Sequence, residues 1–143
     1  MDEGRMSELL ERAREAFARQ AMMQTFGAEL LEAAAGRVVL AAPVGEHLRQ
    51  QGDLAHAALT YGLGDSAGGY AAWTTLPEGS DVVTVEMKIN LLAPAAGERL
   101  IATGRVLRAG PRIVTVMAEV DAEAGGRRTP VAVLLGTVMP VTP

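Results

Sequence analysis

Residues 54–77 read LAHAALTYGLGDSAGGYAAWTTLP, and their only formally charged residue is Asp65. This run of small and apolar residues is too long for one strand, so we predict a helix. Its four glycines each disfavour a helix by about 1 kcal/mol relative to alanine. We therefore expect the surroundings to hold the helix, with the backbone of a sheet or of a partner packed closely against its small side chains.

The chain after this helix changes to a period of two. Turn residues separate four predicted strands, which lie at 81–92, 98–108, 112–123 and 130–141. Strict alternation in the first strand predicts that Thr84 points to one face and the apolar residues point to the other, namely Val83, Val85, Met87, Ile89 and Leu91. Because tight turns join consecutive strands, we expect an antiparallel sheet in meander order.

The chain before the helix contains two further elements. Residues 1–25 show apolar residues at helical spacing, and we predict one amphipathic helix with Ser7 as its N-cap, ending before Gly27. A hairpin is expected over residues 28–43, followed by a polar connection over residues 44–53.

Together these elements predict an α+β fold. A single antiparallel sheet carries a helix across one face, and its strands of about ten residues are long enough to curl around a central helix. We expect one domain over residues 1–143, in which the N-terminal helix at 1–25 precedes a core at 26–143.

The composition excludes several classes of function. The chain is 49% hydrophobic and 21% charged, and its net charge is −4, which argues against nucleic-acid binding because that function needs a basic face. There is no cysteine, so disulfides and thiol nucleophiles are excluded and an intracellular location fits best. The N-terminus lacks the apolar centre of a signal peptide, and no apolar run reaches about 18 residues. We expect a cytoplasmic protein without nucleic-acid or membrane partners.

One short motif suggests nucleophilic catalysis. Residues 64–68, GDSAG, fit the G-x-S-x-G pattern of serine hydrolases. A serine of that type needs a histidine later in the chain, whereas His47 and His56 both precede Ser66. A small serine hydrolase therefore stays a minor alternative. The same two histidines are too few for a metal site, and we expect neither a metal nor a cofactor.

Asp65 has two interpretations. It is either an ordinary polar residue at the helix surface or a general base, since a carboxylate shielded among apolar groups holds a proton more tightly and can then remove one from water. His56 lies nine residues earlier, about 13 Å along a helix and on the opposite face. The two side chains could act on one substrate only across a twofold dimer.

The spacing of these residues resembles a known family. His56-Ala57-Ala58, six further residues and Asp65-Ser66-Ala67-Gly68 resemble the H-G-G…D-x-A-x motif of hotdog-fold acyl-CoA thioesterases of the phenylacetate-degradation (PaaI-like) group. The strand VTVEMKINLLAPA and the ending LLGTVMPV extend the resemblance over roughly residues 27–141. It implies a long helix wrapped by an antiparallel sheet, in dimers that often pair into tetramers, with active sites at the dimer interface.

The resemblance also implies roles for individual residues. Asp65 would be the catalytic carboxylate, acting as base or as nucleophile, and the Ala57 amide would bind the thioester oxygen at the helix N-terminus. His56 would shape that turn, and Gln50 would hold substrate or water. Thr84 corresponds to a serine or threonine that faces the carboxylate, although the predicted alternation turns it outward.

The substrate is expected to be a medium-chain or aromatic acyl-CoA. Arg108 and Arg112 are candidates for binding the phosphates of coenzyme A, and Tyr61 is a candidate for lining the acyl site. The family's H-G-G is His56-Ala57-Ala58 here, and glycine permits a backbone angle or a close approach that alanine restricts. The alternative is therefore a hotdog protein that binds acyl-CoA without hydrolysing it.

Overall fold

The computed structural model describes residues 2–141. The chain forms, in order, α1 (Glu3–Ala18), α2 (Ala21–Phe26), β1 (Glu29–Ala34), β2 (Arg37–Pro43), α3 (Ala57–Trp73), β3 (Asp81–Leu91), β4 (Arg99–Ala109), β5 (Val114–Ala124) and β6 (Arg127–Val141). Two short 3-10 turns, Glu46–Leu48 and Gln51–Asp53, lie between β2 and α3. The predicted central helix, hairpin and polar connection are therefore present.

The six strands form one antiparallel sheet in the order β1-β2-β4-β5-β6-β3, and α3 packs across it against β2 to β6. This confirms the α+β prediction of an antiparallel sheet around a central helix. The predicted meander is wrong for β3, which pairs with β6 and not with β4. After β3, the Leu92 amide donates to the Val131 carbonyl and the Ala95 carbonyl accepts from Ala55, so the connection runs across the end of α3 before β4 begins.

The glycines of α3 allow the helix to approach the sheet closely. A Cβ added at Gly64 would lie 2.8 Å from Leu134 Cδ1, and one added at Gly68 would lie 3.1 Å from Val116 Cγ2. On the sheet side, a Cβ at Gly104 would overlap the carbonyl of Ala67. Glycines on both α3 and the sheet therefore permit the close packing that we expected around a helix of low intrinsic propensity.

The predicted N-terminal helix is in fact two helices. Its N-cap is Asp2, whose carboxylate accepts from the Gly4 amide at 3.2 Å, and not Ser7. Gln20 takes an extended conformation that separates α1 from α2. Phe17 and Met23 are both buried, yet a continuous helix would place them about 120° apart, because six residues at about 100° each do not complete two turns. The break lets both side chains reach the core.

The predicted alternation of β3 is wrong because the strand contains a β-bulge. The register against β6 shifts between Thr84 and Glu86, and a bulge of this kind moves the following side chains to the opposite face. Val83 and Val85, ahead of Glu86, are 52% and 54% exposed, whereas Met87 beyond the shift packs against the core. The bulge leaves Thr84 on the same face as α3.

Aromatic side chains fix α1 beside the C-terminal half of α3. The rings of Phe17 and Tyr70 meet edge to face with centroids 5.7 Å apart, and Tyr70 meets Trp73 at 6.0 Å. The Arg12 guanidinium lies over the Trp73 ring at 5.5 Å, a favourable cation–π arrangement. None of the helices within residues 2–141 is both long enough and apolar enough to span a membrane.

Candidate active site

Asp65 lies on α3 and is bound by a residue of β3. The Thr84 hydroxyl donates to Asp65 Oδ1 at 2.7 Å, and the Asp65 side chain is half-buried. A hydrogen bond from a neutral donor to a carboxylate is stronger than one between two neutral groups. It fixes the direction of the carboxylate, as a general base or nucleophile requires.

The Asp65 carboxylate borders a cleft of about 660 Å³ between α1, α3 and β3. Arg12 and Arg19 line it from α1, and Tyr70 and Trp73 line it from α3. Burial raises the pKa of Tyr70 to about 12, so this side chain is a neutral hydrogen-bonding group at physiological pH. The lining carries two arginines, Arg12 and Arg19, and four carboxylates, those of Glu15, Asp65, Glu78 and Asp81, so the cleft is net acidic.

The N-terminus of α3 presents an unpaired amide. His56 is the N-cap, and its Nδ1 accepts from the Ala58 amide at 2.9 Å. The His56 carbonyl accepts from the amides of Leu59 and Thr60 at 3.0 and 3.3 Å. Within residues 2–141 the Ala57 amide has no acceptor. An unpaired donor at the positive end of a 17-residue helix suits an oxyanion.

A second, smaller cavity of about 90 Å³ lies at this end of α3. Its polar wall contains Gln50, Ala57 and Thr60, and its apolar wall contains Leu91 and Val131. The structure therefore places the predicted residues Gln50 and Ala57 together. Asp65 and Thr84 line the larger cleft instead.

The two halves of the predicted site are separated within one chain. Ala57 and Asp65 are eight residues apart on α3, which corresponds to about 12 Å along the helix axis. They line different cavities, so one chain does not bring the carboxylate to the unpaired amide. This agrees with the requirement for two copies that the spacing of His56 and Asp65 predicts.

Three further predicted residues lie outside both cavities. Tyr61 is half-buried one turn before Asp65, and its pKa is raised first by burial and then by the negative charges of Asp65 and Glu86. Arg108 and Arg112 are exposed where β4 turns into β5. Their predicted role with coenzyme A stays a prediction.

The geometry does not support a serine nucleophile, and it does not bring the two histidines together. Ser66 lies in the interior of α3, whereas a G-x-S-x-G nucleophile requires a sharp turn between a strand and a helix. That interpretation is wrong for this fold. His47 Nε2 lies 3.3 Å from the Thr25 carbonyl and His56 binds the Ala58 amide, so the two histidines do not converge.

The alanines that replace the family's glycines adopt ordinary helical geometry. Ala57 and Ala58 are the first two residues of α3. Among the described residues that are not glycine, only Asp53 has a positive φ, at 60°. The backbone at positions 57 and 58 therefore does not require glycine, and alanine there causes no strain.

Sequence reasoning missed two parts of the site. Arg12 and Arg19 reach the cleft because aromatic and cation–π contacts hold α1 beside α3, a long-range arrangement with no local signal. Thr60 shares the small cavity with Ala57, and the available signal was its spacing of three residues from Ala57, which puts both on one helix face.

The comparisons agree with this fold. A model of the thioesterase superfamily matches residues 52–129, more than half of the chain. A crystal structure of a thioesterase family protein from Silicibacter pomeroyi is 35% identical, with a TM-score of 0.91 over 94% of this chain and 99% of that one. The E. coli PaaI protein of the phenylacetic acid degradation operon, 19% identical, shares the fold with a TM-score of 0.84 over 95% of each chain.

A curated relative from Saccharolobus solfataricus, named "putative esterase", is 34% identical over 84 residues, which span 59% of each chain. The fold defines a hotdog-fold protein. The chain belongs to the thioesterase superfamily, whose activity is the hydrolysis of thioester bonds. The resemblance identified from the sequence is thereby confirmed.

Proposed function

We propose that this protein is a cytoplasmic acyl-CoA thioesterase that hydrolyses a medium-chain or aromatic acyl-CoA to the free acid and coenzyme A. The observation that carries the proposal is the carboxylate of Asp65, fixed by Thr84 beside a cleft, on the same helix whose first amide is unpaired. Membership of the thioesterase superfamily supports it. We further propose that residues 1–143 form one domain.

The reaction needs two copies of the chain. We place Asp65 of one subunit opposite the Ala57 amide of its partner across a twofold axis, which repeats the site twice. Support comes from β3, an edge strand of the sheet, because unpaired edges readily accept another strand. Its Val83, Val85 and Leu91 are more than half exposed, as apolar residues covered in an assembly would be. A homodimer is the minimum, and a homotetramer would pair two of them.

In this arrangement the thioester carbonyl oxygen accepts a hydrogen bond from the Ala57 amide. Asp65 either removes a proton from an attacking water or attacks the carbonyl carbon and forms an anhydride that water then cleaves. The coenzyme A thiolate leaves in both routes and takes up a proton. The amide is oriented before the reaction begins, so it stabilises the negative charge on the oxygen as that charge develops.

The walls of the cleft support the proposed acyl group. Trp73, which is half-buried, offers aromatic surface, against which an aryl ring or an alkyl chain can pack. Arg108 and Arg112 are exposed at a turn, where they could bind the phosphates of coenzyme A.

The direct test is thiol release from a panel of aliphatic and aryl acyl-CoAs. We expect the wild type to hydrolyse at least one member and Asp65→Asn to lose nearly all of that activity. Ser66→Ala is the matched control, since Ser66 neighbours Asp65 in the same cleft and should be dispensable. Unchanged hydrolysis by Asp65→Asn would remove Asp65 from the mechanism, and an inactive Ser66→Ala would show that the loss in Asp65→Asn is not specific to the carboxylate.

Ala57→Pro removes the proposed oxyanion donor without disturbing the helix. Proline is well accepted at the first helical position, and His56 already has the extended conformation (φ −63°, ψ 143°) that a residue before proline prefers. We expect kcat to fall by about 10²–10³-fold, with an unchanged thermal midpoint. An active Ala57→Pro protein would contradict the assignment of the amide.

The same two variants test the shared site. Asp65→Asn and Ala57→Pro chains are mixed, unfolded and refolded together, so that mixed dimers form. Each mixed dimer has one defective and one intact site, and about a quarter of the wild-type activity should return. If each site belonged to one chain, mixing would restore nothing. Light scattering on the wild type distinguishes dimer from tetramer.

A non-catalytic acyl-CoA-binding protein is the alternative that the replacement of H-G-G by His56-Ala57-Ala58 suggested, and the unstrained backbone at Ala57 and Ala58 disfavours it. Saturable binding of acyl-CoA without thiol release from any panel member would favour it.

A further inference from the structure

The hydroxyl of Thr60 is buried without a hydrogen-bond partner. Thr60 is 1% exposed, and its Oγ1 is the one buried side-chain polar atom within residues 2–141 that has no partner. A buried polar group left unpaired is unfavourable, and such groups are rare in folded proteins. The position of Thr60 therefore calls for a physical reason.

Other helical threonines of this chain behave differently. Thr74 Oγ1 donates to the Ala71 carbonyl at 2.6 Å, and Thr75 Oγ1 donates to the Ala72 carbonyl at 2.7 Å. In α2, Thr25 Oγ1 lies 3.3 Å from the Ala21 carbonyl. A threonine in or next to a helix usually satisfies its hydroxyl in this way, through one of its two accessible rotamers. Thr60 makes no such bond, so its hydroxyl is not committed to its own helix.

A second polar group without a hydrogen-bond partner lies close to Thr60. Thr60 forms part of the wall of the 90 Å³ cavity, together with Gln50 and Ala57. Helical side chains tilt toward the helix N-terminus, which directs Thr60 toward the turn that begins with Ala57. The Ala57 amide and the Thr60 hydroxyl, one turn apart, thus both lack acceptors beside one otherwise largely apolar cavity.

We propose that the Thr60 hydroxyl is a second substrate-contacting donor, which binds the same oxygen in this cavity as the Ala57 amide does. The oxygen is the thioester carbonyl oxygen or a water held next to it. The inference rests on the proposed function, and it adds a residue to which the sequence assigned no role. Two donors on one oxygen stabilise its developing charge more than one does.

The test uses substitutions that isolate the hydroxyl. Thr60→Ser keeps the hydroxyl and Thr60→Ala removes it, and both lose the same methyl group. Thr60→Val keeps the shape of threonine and replaces the hydroxyl by a methyl group. Thermal unfolding is measured beside kcat and KM on the best acyl-CoA of the panel. A merely structural Thr60 predicts that Thr60→Val is at least as stable as wild type and equally active, because burying a methyl group is easier than burying an unpaired hydroxyl.

We expect Thr60→Val to keep or raise the thermal midpoint while kcat/KM falls by about tenfold or more, and Thr60→Ser to exceed Thr60→Ala by a similar factor. A loss confined to kcat identifies the thioester oxygen, and a rise confined to KM identifies an oxygen bound before the reaction. Equal kcat/KM for Thr60→Ser and Thr60→Ala overturns the inference while Asp65→Asn can still be inactive. If the wild type releases no thiol from any acyl-CoA, the proposed function fails and this inference fails with it.

Discussion

Thr84 of the edge strand β3 donates a hydrogen bond to Asp65 of the central helix, with 2.7 Å between Thr84 Oγ1 and Asp65 Oδ1. The bulge between Thr84 and Glu86 makes this contact possible, because the strand carries Thr84 and Met87 on the side of α3. The contact connects the proposed catalytic group to the edge of the sheet, where a second subunit is expected.

Removing this hydrogen bond should lower activity more than stability. Thr84→Val keeps the shape of the side chain but leaves Asp65 without its donor, and a hydrogen bond to a charged group is worth about 1.5 kcal/mol or more. We expect kcat/KM to fall by about tenfold in Thr84→Val and to stay near wild type in Thr84→Ser, as measured by thiol release. Equal activity of the two variants would contradict a positioning role for Thr84.

Two glycines of α3 should respond oppositely to alanine. In Gly64→Ala the new Cβ would lie 2.8 Å from Leu134 Cδ1 and 3.3 Å from Val120 Cγ2, and we expect a loss of about 1–3 kcal/mol in the free energy of unfolding. In Gly69→Ala the nearest atom outside the local helix is Val82 Cγ2 at 3.9 Å, and we expect a gain of about 0.5–1 kcal/mol. Urea unfolding distinguishes the two, and changes of the same sign would argue against the close packing of α3 at Gly64.

His56 should contribute to stability as an N-cap. His56→Ala removes the acceptor of the Ala58 amide, and we expect a loss of about 1 kcal/mol. His56→Asn supplies a side-chain oxygen that can accept the same bond, so its thermal midpoint should stay close to that of the wild type. If both variants unfold at the same lower temperature, the imidazole has a role other than capping.

The two tyrosines should ionise at different pH. Burial, and secondarily the charge of Asp81, raises the pKa of Tyr70 to about 12, while the ordinary value is 10.0. A group whose pKa is raised by folding contributes stability below its unfolded pKa and loses that contribution as pH rises through the folded one. Absorbance at alkaline pH should therefore show a late step that Tyr70→Phe removes, and Tyr70→Phe should unfold with a weaker pH dependence between pH 10 and 12. A late step that persists in Tyr70→Phe would assign it to Tyr61.

Local signals in the sequence predicted most of the elements, since length, small residues and alternation are properties of neighbouring positions. The partner of β3 was not predictable in this way, because turn residues at 94–97 show where a strand ends and not which strand it joins. The bulge after Thr84 follows from the pairing with β6 and was hidden for the same reason. The break at Gln20 was not predictable either, because it allows Phe17 and Met23 to be buried separately in the folded core.

Most residues of the candidate site were predicted from the sequence, but Thr60 was not. The helix spacing of His56 and Asp65 indicated a site divided between two copies, and the resemblance supplied Gln50, Ala57 and Thr84. The spacing of Thr60 from Ala57 placed both residues on one helix face, but its distinguishing property is a missing hydrogen bond, which appears only in the folded structure.

The bulge in β3 also separates two segments of one strand that should tolerate substitution differently. Residues 81–84 border the cleft almost throughout, whereas Met87 and Ile89 beyond the bulge pack against the core. Asp81 and Thr84 are exposed and can vary at little risk to folding, whereas Val82, Met87 and Ile89 pack against the core and are constrained in volume. An insertion or deletion of one residue between Thr84 and Glu86 would turn one segment to the opposite face of the sheet relative to the other. The contacts at the cleft and the packing against the core could then no longer form together.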